Sequence, residues 1–382
     1  MSSVRQVVKA TIAGLGYYGG GFRALGWLAD RLHGAGCAIL TYHRVLRGAE
    51  VAAEPDPGLV TTIETFAAHM QFIAQRYRPL ALDEAVARLA RGALPPRACA
   101  VTFDDGWRDS YTNAYPILRE LNIPATIFVA TSYVGTERPL WTRQAARVFD
   151  EALRRGRYRL VSDALAGAGL QPSARTHTPR ATESLVSALK RMPATKRERI
   201  VADLAAALGC PVMKDPWLTW DELREMHEGG VLVGSHTRTH AILTAEAPEC
   251  VVDELVGSRA DIQRHLGITA IAFCYPDGAT DERAEAMVRQ AGYSLACSTQ
   301  PGVARANADL LRLPRIAADE RMAHGINGGF SRALFVCQAA GGFRGLAQMA
   351  NRRLRGPGGR GARGRRKCDD SSGGLAATER HP

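Results

Sequence analysis

The chain has 382 residues, 46% of them hydrophobic and 23% charged, with a formal net charge of +11. That length can bury the core of one large α/β domain with insertions, the apolar and charged fractions are ordinary for a soluble globular protein, and a disulfide framework is excluded. The charge is uneven: Asn351 to Pro382 carries nine Lys/Arg against three Asp/Glu, a net of +6, which leaves +5 of the +11 for the rest.

Eight cysteines are scattered without a C-x-x-C pair, which reads as reduced, mostly buried thiols and suits a cytoplasmic compartment. No run of about 18 apolar residues is present, so no ordinary membrane span is expected. The N-terminus lacks a compact apolar run with a small-residue cleavage site. The expected location is therefore the cytoplasm or the inner face of a membrane.

Residues 1–36 form an N-terminal segment. Within it, Val7 to Leu32 is apolar but interrupted by Lys9, Arg23 and several glycines. Two readings stand side by side: an amphipathic helix in peripheral contact with a membrane surface, and a helix packed on the domain. Gly14 to Gly19 matches G-x-G-x-x-G, but no strand precedes it and no acidic residue follows near 20 positions on, so dinucleotide binding is set aside.

Cys37 to Tyr42 is a short apolar run that predicts a buried strand, continued by His43 to Val45. Residues 48–60 read as loop. Helices are expected over Thr65–Tyr77 and Leu82–Leu89, a strand over Ala98–Phe103, a helix over Tyr115–Leu121 broken by Pro124, and a strand over Ala125–Ala130. This alternation points to parallel β/α units. From about 135 to 215 the rhythm stops. Ala, Arg, Leu and Glu dominate, and three helices are expected, over Trp141–Arg154, Ala181–Arg191 and Lys196–Leu208. The rhythm resumes at Thr219, a helix cap with Glu222 three positions on. A strand (Val231–Val233), a helix (Pro248–Leu266), a strand (Ile271–Tyr275), a helix (Glu282–Ala291) and strands at Ser294–Cys297 and Leu311–Ile316 follow. Residues 37–345 thus form one domain with a helical insertion, and 346–382 a disordered basic tail. The tail reads as solvated; no nucleic-acid partner is expected.

Three turns fall at the C-terminal ends of predicted strands, the edge that carries active sites in barrel-like α/β folds. The first holds adjacent carboxylates, Asp104 and Asp105. The second holds His236 and His240, spaced i, i+4. The third is Phe273-Cys274-Tyr275-Pro276-Asp277-Gly278. One carboxylate and two imidazoles make three protein ligands, the number a catalytic divalent metal uses when a position stays open for water. The remaining carboxylate is free to act as a base. Each motif also has a plain reading, since Asp-Asp-Gly is a common turn and H-x-x-x-H arises by chance. Position 237 is Thr, not the Glu a zinc protease needs next to its first His.

Thr102 to Gly106, Ser235 to His240 and Phe273 to Gly278 together resemble the polysaccharide deacetylase family, the NodB-homology or carbohydrate esterase 4 group. The resemblance covers roughly Ile39 to Ala318. It implies a distorted (β/α) barrel of about seven parallel strands. It also implies roles: Asp104 the general base, and Asp105, His236 and His240 the metal ligands. The third turn, Tyr275, Pro276 and Asp277, would supply substrate contacts and an oxyanion donor, the Asp277 N–H. The ligand set favours zinc, with cobalt and nickel also suited. Two departures stand out. Cys274 replaces the Arg usual in the third motif, and the late Leu-His motif is missing, since Leu311 to Arg315 has no His. Both are similar to the poly-N-acetylglucosamine deacetylase branch, where an early strand ends Tyr-His, as Tyr42-His43 does here. His43 is therefore the expected general acid, and Arg315 the residue expected to orient Asp104. Trp107 and Tyr275 are expected to line a sugar groove; Trp220 fits core packing better.

The implied activity is metal-dependent removal of N-acetyl groups from a glycan or a lipid-linked sugar. The alternatives are an O-acetyl esterase and an inactive glycan-binding protein on the same scaffold. The sequence does not define an oligomeric state.

Overall fold

The computed structural model describes residues 2–22, 24, 30–31, 34–51, 54–55, 57–170, 178–320, 322–325 and 329–340. The basic tail expected over 346–382 lies outside them, as does much of the second half of the N-terminal segment.

Seven parallel strands close a barrel. In chain order they are β1 (Cys37–Tyr42), β5 (Ala98–Phe103), β6 (Ala125–Val129), β7 (Leu232–Ser235), β8 (Ala272–Cys274), β9 (Leu295–Pro301) and β10 (Leu313–Ala317). Closure comes from β1, which pairs with β5 on one side and β10 on the other. The expected (β/α) barrel is therefore present. Every residue of β1, β5 and β6 is buried, as strands covered on both faces require, and this is why they read as unbroken apolar runs. Three short strands stand outside the ring: β2 (Arg44–Leu46) pairs with β3 (Val60–Thr62), and β4 (Arg78–Pro79) extends the sheet beside β5.

The structure parts from the sequence reading at Tyr42. The strand does not run on through Val45. It breaks at His43, and Arg44–Leu46 joins a separate two-stranded sheet. Val60–Thr62, at the end of a stretch read as loop, is that sheet's second strand. Three residues are too few to show a period.

Helices wrap the barrel: α2 (Ile63–Arg76), α3 (Leu82–Ala90), α4 (Tyr115–Glu120), α9 (Trp220–Glu228), α10 (Pro248–Leu266) and α11 (Glu282–Gln290). The capping box at the start of α9 is formed: the Thr219 side chain accepts from the Glu222 N–H and Glu222 accepts from the Thr219 N–H. α10 stops at Gly267, which takes a left-handed φ of 73°.

Between β6 and α9 lie four helices, α5 (Trp141–Arg154), α6 (Tyr158–Ala166), α7 (Pro179–Leu189) and α8 (Ala194–Leu208), around their own core of Val148, Phe149, Leu165, Leu189 and Leu204. Sequence reading expected three. The missed one, α6, buries only Val161 and Leu165. One buried i, i+4 pair in a nine-residue helix is too weak a period to read.

At the N-terminus, α1 (Ser2–Tyr18) packs Ala13 against Ala333, Leu334 and Cys337 of α12 (Arg332–Ala339). Its other side leaves Val8, Ile12, Leu15 and Tyr18 exposed. No helix among the described residues is long and apolar enough to cross a membrane.

Candidate active site

Strand register assembles the site. β1 and β5 run in step from Cys37↔Ala98 to Tyr42↔Phe103, so the residues that follow, His43 and Asp104, emerge side by side; the Asp104 N–H donates to the Tyr42 carbonyl at 3.0 Å. β6 and β7 end together at Val129↔Ser235, and the His236 N–H continues the ladder to the Val129 carbonyl at 2.9 Å. Ser235 pairs with Phe273 of β8. All three turns therefore open at one edge of the barrel.

The turns hold uncommon backbone conformations. Six described non-glycine residues have positive φ, and four lie here: Asp105 (75°), Thr237 (66°), His240 (56°) and Asp277 (59°). Asp and His tolerate this region; a β-branched residue such as Thr237 does not, at a cost of about 1–3 kcal/mol. Its surroundings hold it there. The Thr237 N–H donates to Ser235 Oγ, its carbonyl accepts from the Thr131 N–H, and its hydroxyl accepts from the Ala241 N–H. The buried Glu254 of α10 adds a clamp, accepting from the Arg238 N–H, the Thr239 N–H and the Thr239 hydroxyl at 2.7, 2.9 and 2.6 Å. In the third turn Gly278 has φ +67°, and a Cβ there would lie 2.0 Å from Thr299 Oγ1. Only glycine fits.

Asp105, His236 and His240 converge. Asp105 Oδ1 is 3.4 Å from His236 Nε2 and 3.4 Å from His240 Nε2, and all three donors lie within 4.8 Å of one another. Two ligands each about 2.1 Å from a tetrahedral ion are themselves about 3.4 Å apart, so the donor set fits a divalent cation. His236 Nδ1 faces the Cys274 carbonyl at 2.7 Å. A carbonyl only accepts, so Nδ1 carries a proton and Nε2 is the nitrogen that faces Asp105 and would bind a metal. Burial lowers the His240 pKa, which favours the neutral ligand form. Burial alone would raise the Asp105 pKa, but the hydrogen bonds to His236 and His240 outweigh it and hold the carboxyl well below its ordinary range.

Asp104 faces a different set of partners. Arg315 grips both its oxygens, Nη1 to Oδ1 at 2.7 Å and Nη2 to Oδ2 at 2.6 Å. Burial pushes the Asp104 pKa up, yet the Arg315 charge and hydrogen bonds win and hold it at about 2. The guanidinium is fixed in turn by Thr102 Oγ1 and the Ser298 carbonyl. It also lies 3.1 Å from Cys274 Sγ, so the small side chain at 274 leaves room for an arginine arriving from β10. Asp104, His236 and Cys274 form a second three-donor set. The guanidinium beside it repels a cation, and burial pushes the Cys274 thiol up to about 11, so it stays protonated. His43 Nε2 is 3.8 Å from Asp104 Oδ2; its side chain is 22% exposed against 4% for Asp104.

Two placements correct the sequence reading. Trp107 is 2% exposed and Tyr275 is fully buried, so neither offers a face to a sugar. Trp107 stacks on Trp217 with ring centroids 4.1 Å apart, its indole Nε1 donates to Asp105 Oδ2 at 2.9 Å, and two guanidinium groups lie against its ring. Tyr275 packs edge-on against Phe273 in the barrel core. An aromatic beside a turn motif looks the same in sequence whether it faces a cleft or the core. Pro276 is also buried, while Asp277 is exposed and ion-paired with Lys190, from the end of α7. Trp220 stacks on the His265 ring. Glu254 gave no sequence signal, being one acid among several on a 19-residue helix.

A parallel seven-stranded barrel with an Asp/His/His cluster at its C-terminal edge defines a hydrolase-like α/β enzyme class. The sequence signature described as "Polysaccharide deacetylase" matches residues 91–296, and the chain belongs to that family. It is 21% identical over 300 residues to the putative polysaccharide deacetylase YxkH of Bacillus subtilis, across 78% of this chain and 76% of that one. A shorter stretch of 58 residues is 43% identical to the poly-beta-1,6-N-acetyl-D-glucosamine N-deacetylase of Staphylococcus aureus, covering 15% of this chain and 20% of that protein. The fold is similar to that of the Streptococcus pyogenes deacetylase PplD in complex with acetate, with a TM-score of 0.51 and 21% identity over 77% of this chain and 96% of that one.

Proposed function

We propose that this chain is a metal-dependent hydrolase that removes N-acetyl groups from an N-acetylated glycan or lipid-linked sugar. The observation that carries the reading is the pairing of a three-donor cluster, Asp105, His236 and His240, with a separate, arginine-held carboxylate, Asp104, one residue away. A divalent cation held by the three donors, of the zinc, cobalt or nickel kind, supplies Lewis acidity to a carbonyl oxygen and to an attacking water.

The chain's own residues handle the protons. Asp104 is ionised throughout the neutral range and accepts the proton of the water as it adds to the acetyl carbonyl. A backbone N–H of the third turn, that of Asp277, would stabilise the oxygen that gains charge. His43 gives a proton to the departing amine as the C–N bond breaks, leaving acetate. An amide needs such an acid because a free amide anion is a very poor leaving group. An ester needs it less, so a partly exposed His43 next to Asp104 favours amide over ester substrates. Arg315 orients Asp104 and stands in for the Arg that Cys274 replaces.

The outward row of Val8, Ile12, Leu15 and Tyr18 on α1 supports peripheral contact with a membrane surface. The test of the activity is acetate release by the metal-reconstituted protein from N-acetylglucosamine oligomers, a lipid-linked N-acetylated sugar and acetylated xylan. Release from the first two is expected. Release from xylan alone overturns the reading in favour of an O-acetyl esterase, and no release from any, with a metal bound, in favour of a binding protein.

A further inference from the structure

We propose that Trp107 is a positioning residue for Asp105: its indole N–H fixes which carboxylate oxygen faces the metal site, and a buried ionic lattice fixes the indole. The inference rests on the reading of Asp105 as a metal ligand.

The local backbone makes the contact. Asp105 and Gly106 both have positive φ, 75° and 95°, and the resulting turn folds the side chain at position 107 back over the carboxylate at position 105. The turn is held from outside. The Ala130 N–H donates to the Asp105 carbonyl, the Leu218 N–H to the Gly106 carbonyl, and the Arg108 N–H to the Pro216 carbonyl. Indole Nε1 then donates to Asp105 Oδ2 at 2.9 Å, while Oδ1 is the oxygen 3.4 Å from both histidine nitrogens. One oxygen is thus assigned to the protein and the other to the ligand set. An indole N–H is a donor only, so it cannot compete for the cation.

The ring itself has little freedom. Trp217 covers it at 4.1 Å, and the guanidinium carbons of Arg44 and Arg143 lie 4.3 and 5.1 Å from its centroid. Both arginines are neutralised from behind. Arg44 pairs with Asp109 at 2.7 Å and with Glu54 at 2.8 Å, and Arg143 pairs with Glu54 at 3.0 Å and with Asp215. Asp109 also accepts from the Val45 N–H at 2.6 Å and Asp215 from the Leu140 N–H at 2.7 Å. Two cations and three carboxylates from four separate parts of the chain therefore enclose one indole. Cation–π contacts of desolvated guanidinium groups are strong. Such outer partners of a metal ligand typically set metal affinity by 10–100-fold.

The experiment compares metal affinity, by chelator competition, in the wild-type protein, Trp107→Phe and Asp105→Ala, together with the Co(II) absorption spectrum and the melting of the apo-protein. Trp107→Phe keeps an aromatic ring between Trp217 and the arginines and removes the N–H. The expected result is affinity weaker by roughly 10–100-fold and an altered Co(II) spectrum, with apo-protein melting like the wild type. Wild-type affinity and spectrum in Trp107→Phe overturn the inference. Asp105→Ala separates the two claims: if it binds metal as tightly as the wild type, it is the ligand assignment that fails. Should the apo form of Trp107→Phe melt early, benzothienylalanine at position 107 decides. It keeps the fused ring and lacks only the donor, and wild-type affinity there overturns the inference as well.

Discussion

Asp104 and Asp105 are adjacent in sequence, equally buried, and held by opposite flanks of the site. The Asp104 flank is built from β1, β8 and β10 and is dominated by a cation, Arg315, that grips both carboxylate oxygens. The Asp105 flank is built from β7 and the turn after β5. It offers two neutral-capable imidazoles and an indole donor, which leave one oxygen directed at the histidines. A fixed cation fills one carboxylate's coordination sphere and leaves the other's open to a metal. The roles of two identical residues thus follow from their partners, and the positive φ at Asp105 turns them apart.

The comparison breaks most directly if the two carboxylates respond alike to mutation. Asp105→Ala is expected to abolish stoichiometric metal binding and reduce acetate release to the level of the metal-free protein. Metal analysis after gel filtration, beside the activity assay, checks both. Asp104→Asn is expected to lower kcat by about 10²–10⁴, the range for a lost general base, while metal affinity stays within a few-fold of wild type. Equal metal loss in the two variants would erase the distinction between the flanks.

His43 sharpens the comparison on the Asp104 side. His43→Gln is expected to lower kcat about 10²-fold on an N-acetyl substrate and to affect an activated acetyl ester much less, because a good leaving group needs no proton. Wild-type turnover on the N-acetyl substrate, with an intact fold, removes His43 from the mechanism.

Sequence made the Asp105 flank more legible than the Asp104 flank, for a physical reason. The Asp105 ligands come as two local motifs at strand ends, and a turn motif carries its geometry with it. The Asp104 flank depends on register. His43 meets Asp104 because β1 and β5 run in step, and Arg315 reaches it from a strand more than 200 residues away. The family pattern supplied those two residues by showing what was missing, an Arg at 274 and a late His. The barrel strands were legible as apolar runs because both faces are buried. The two- and three-residue strands outside the barrel and the nine-residue α6 were not, since neither shows a period. Trp107 and Tyr275 were misplaced because composition does not tell which side of a turn an aromatic faces. Glu254 and the Arg44–Glu54–Arg143 lattice left no trace, because charged residues on a helix or loop normally point to solvent.

Stability tests the flanks at lower amplitude. Arg315→Met leaves Asp104 buried without its counter-charge, and breaking a buried pair this way costs about 3–5 kcal/mol. It should show as a lower urea midpoint at neutral pH. The sign of the pH dependence follows from the depressed pKa. Asp104 titrates at about 2 in the folded chain, below the ordinary 3.8, so the ion pair contributes fully above about pH 4 and is lost as the pH falls through 2. The wild type should therefore lose stability over that window. In Arg315→Met the cation no longer offsets burial, and the Asp104 pKa rises. With its pKa lifted by burial above the unfolded value, Asp104 in the variant should instead add stability as the pH falls, so the two curves converge at the acid end. If the two urea-midpoint profiles instead stay parallel down to pH 2, Arg315 is not what keeps Asp104 ionised, and the contrast between the flanks needs another cause.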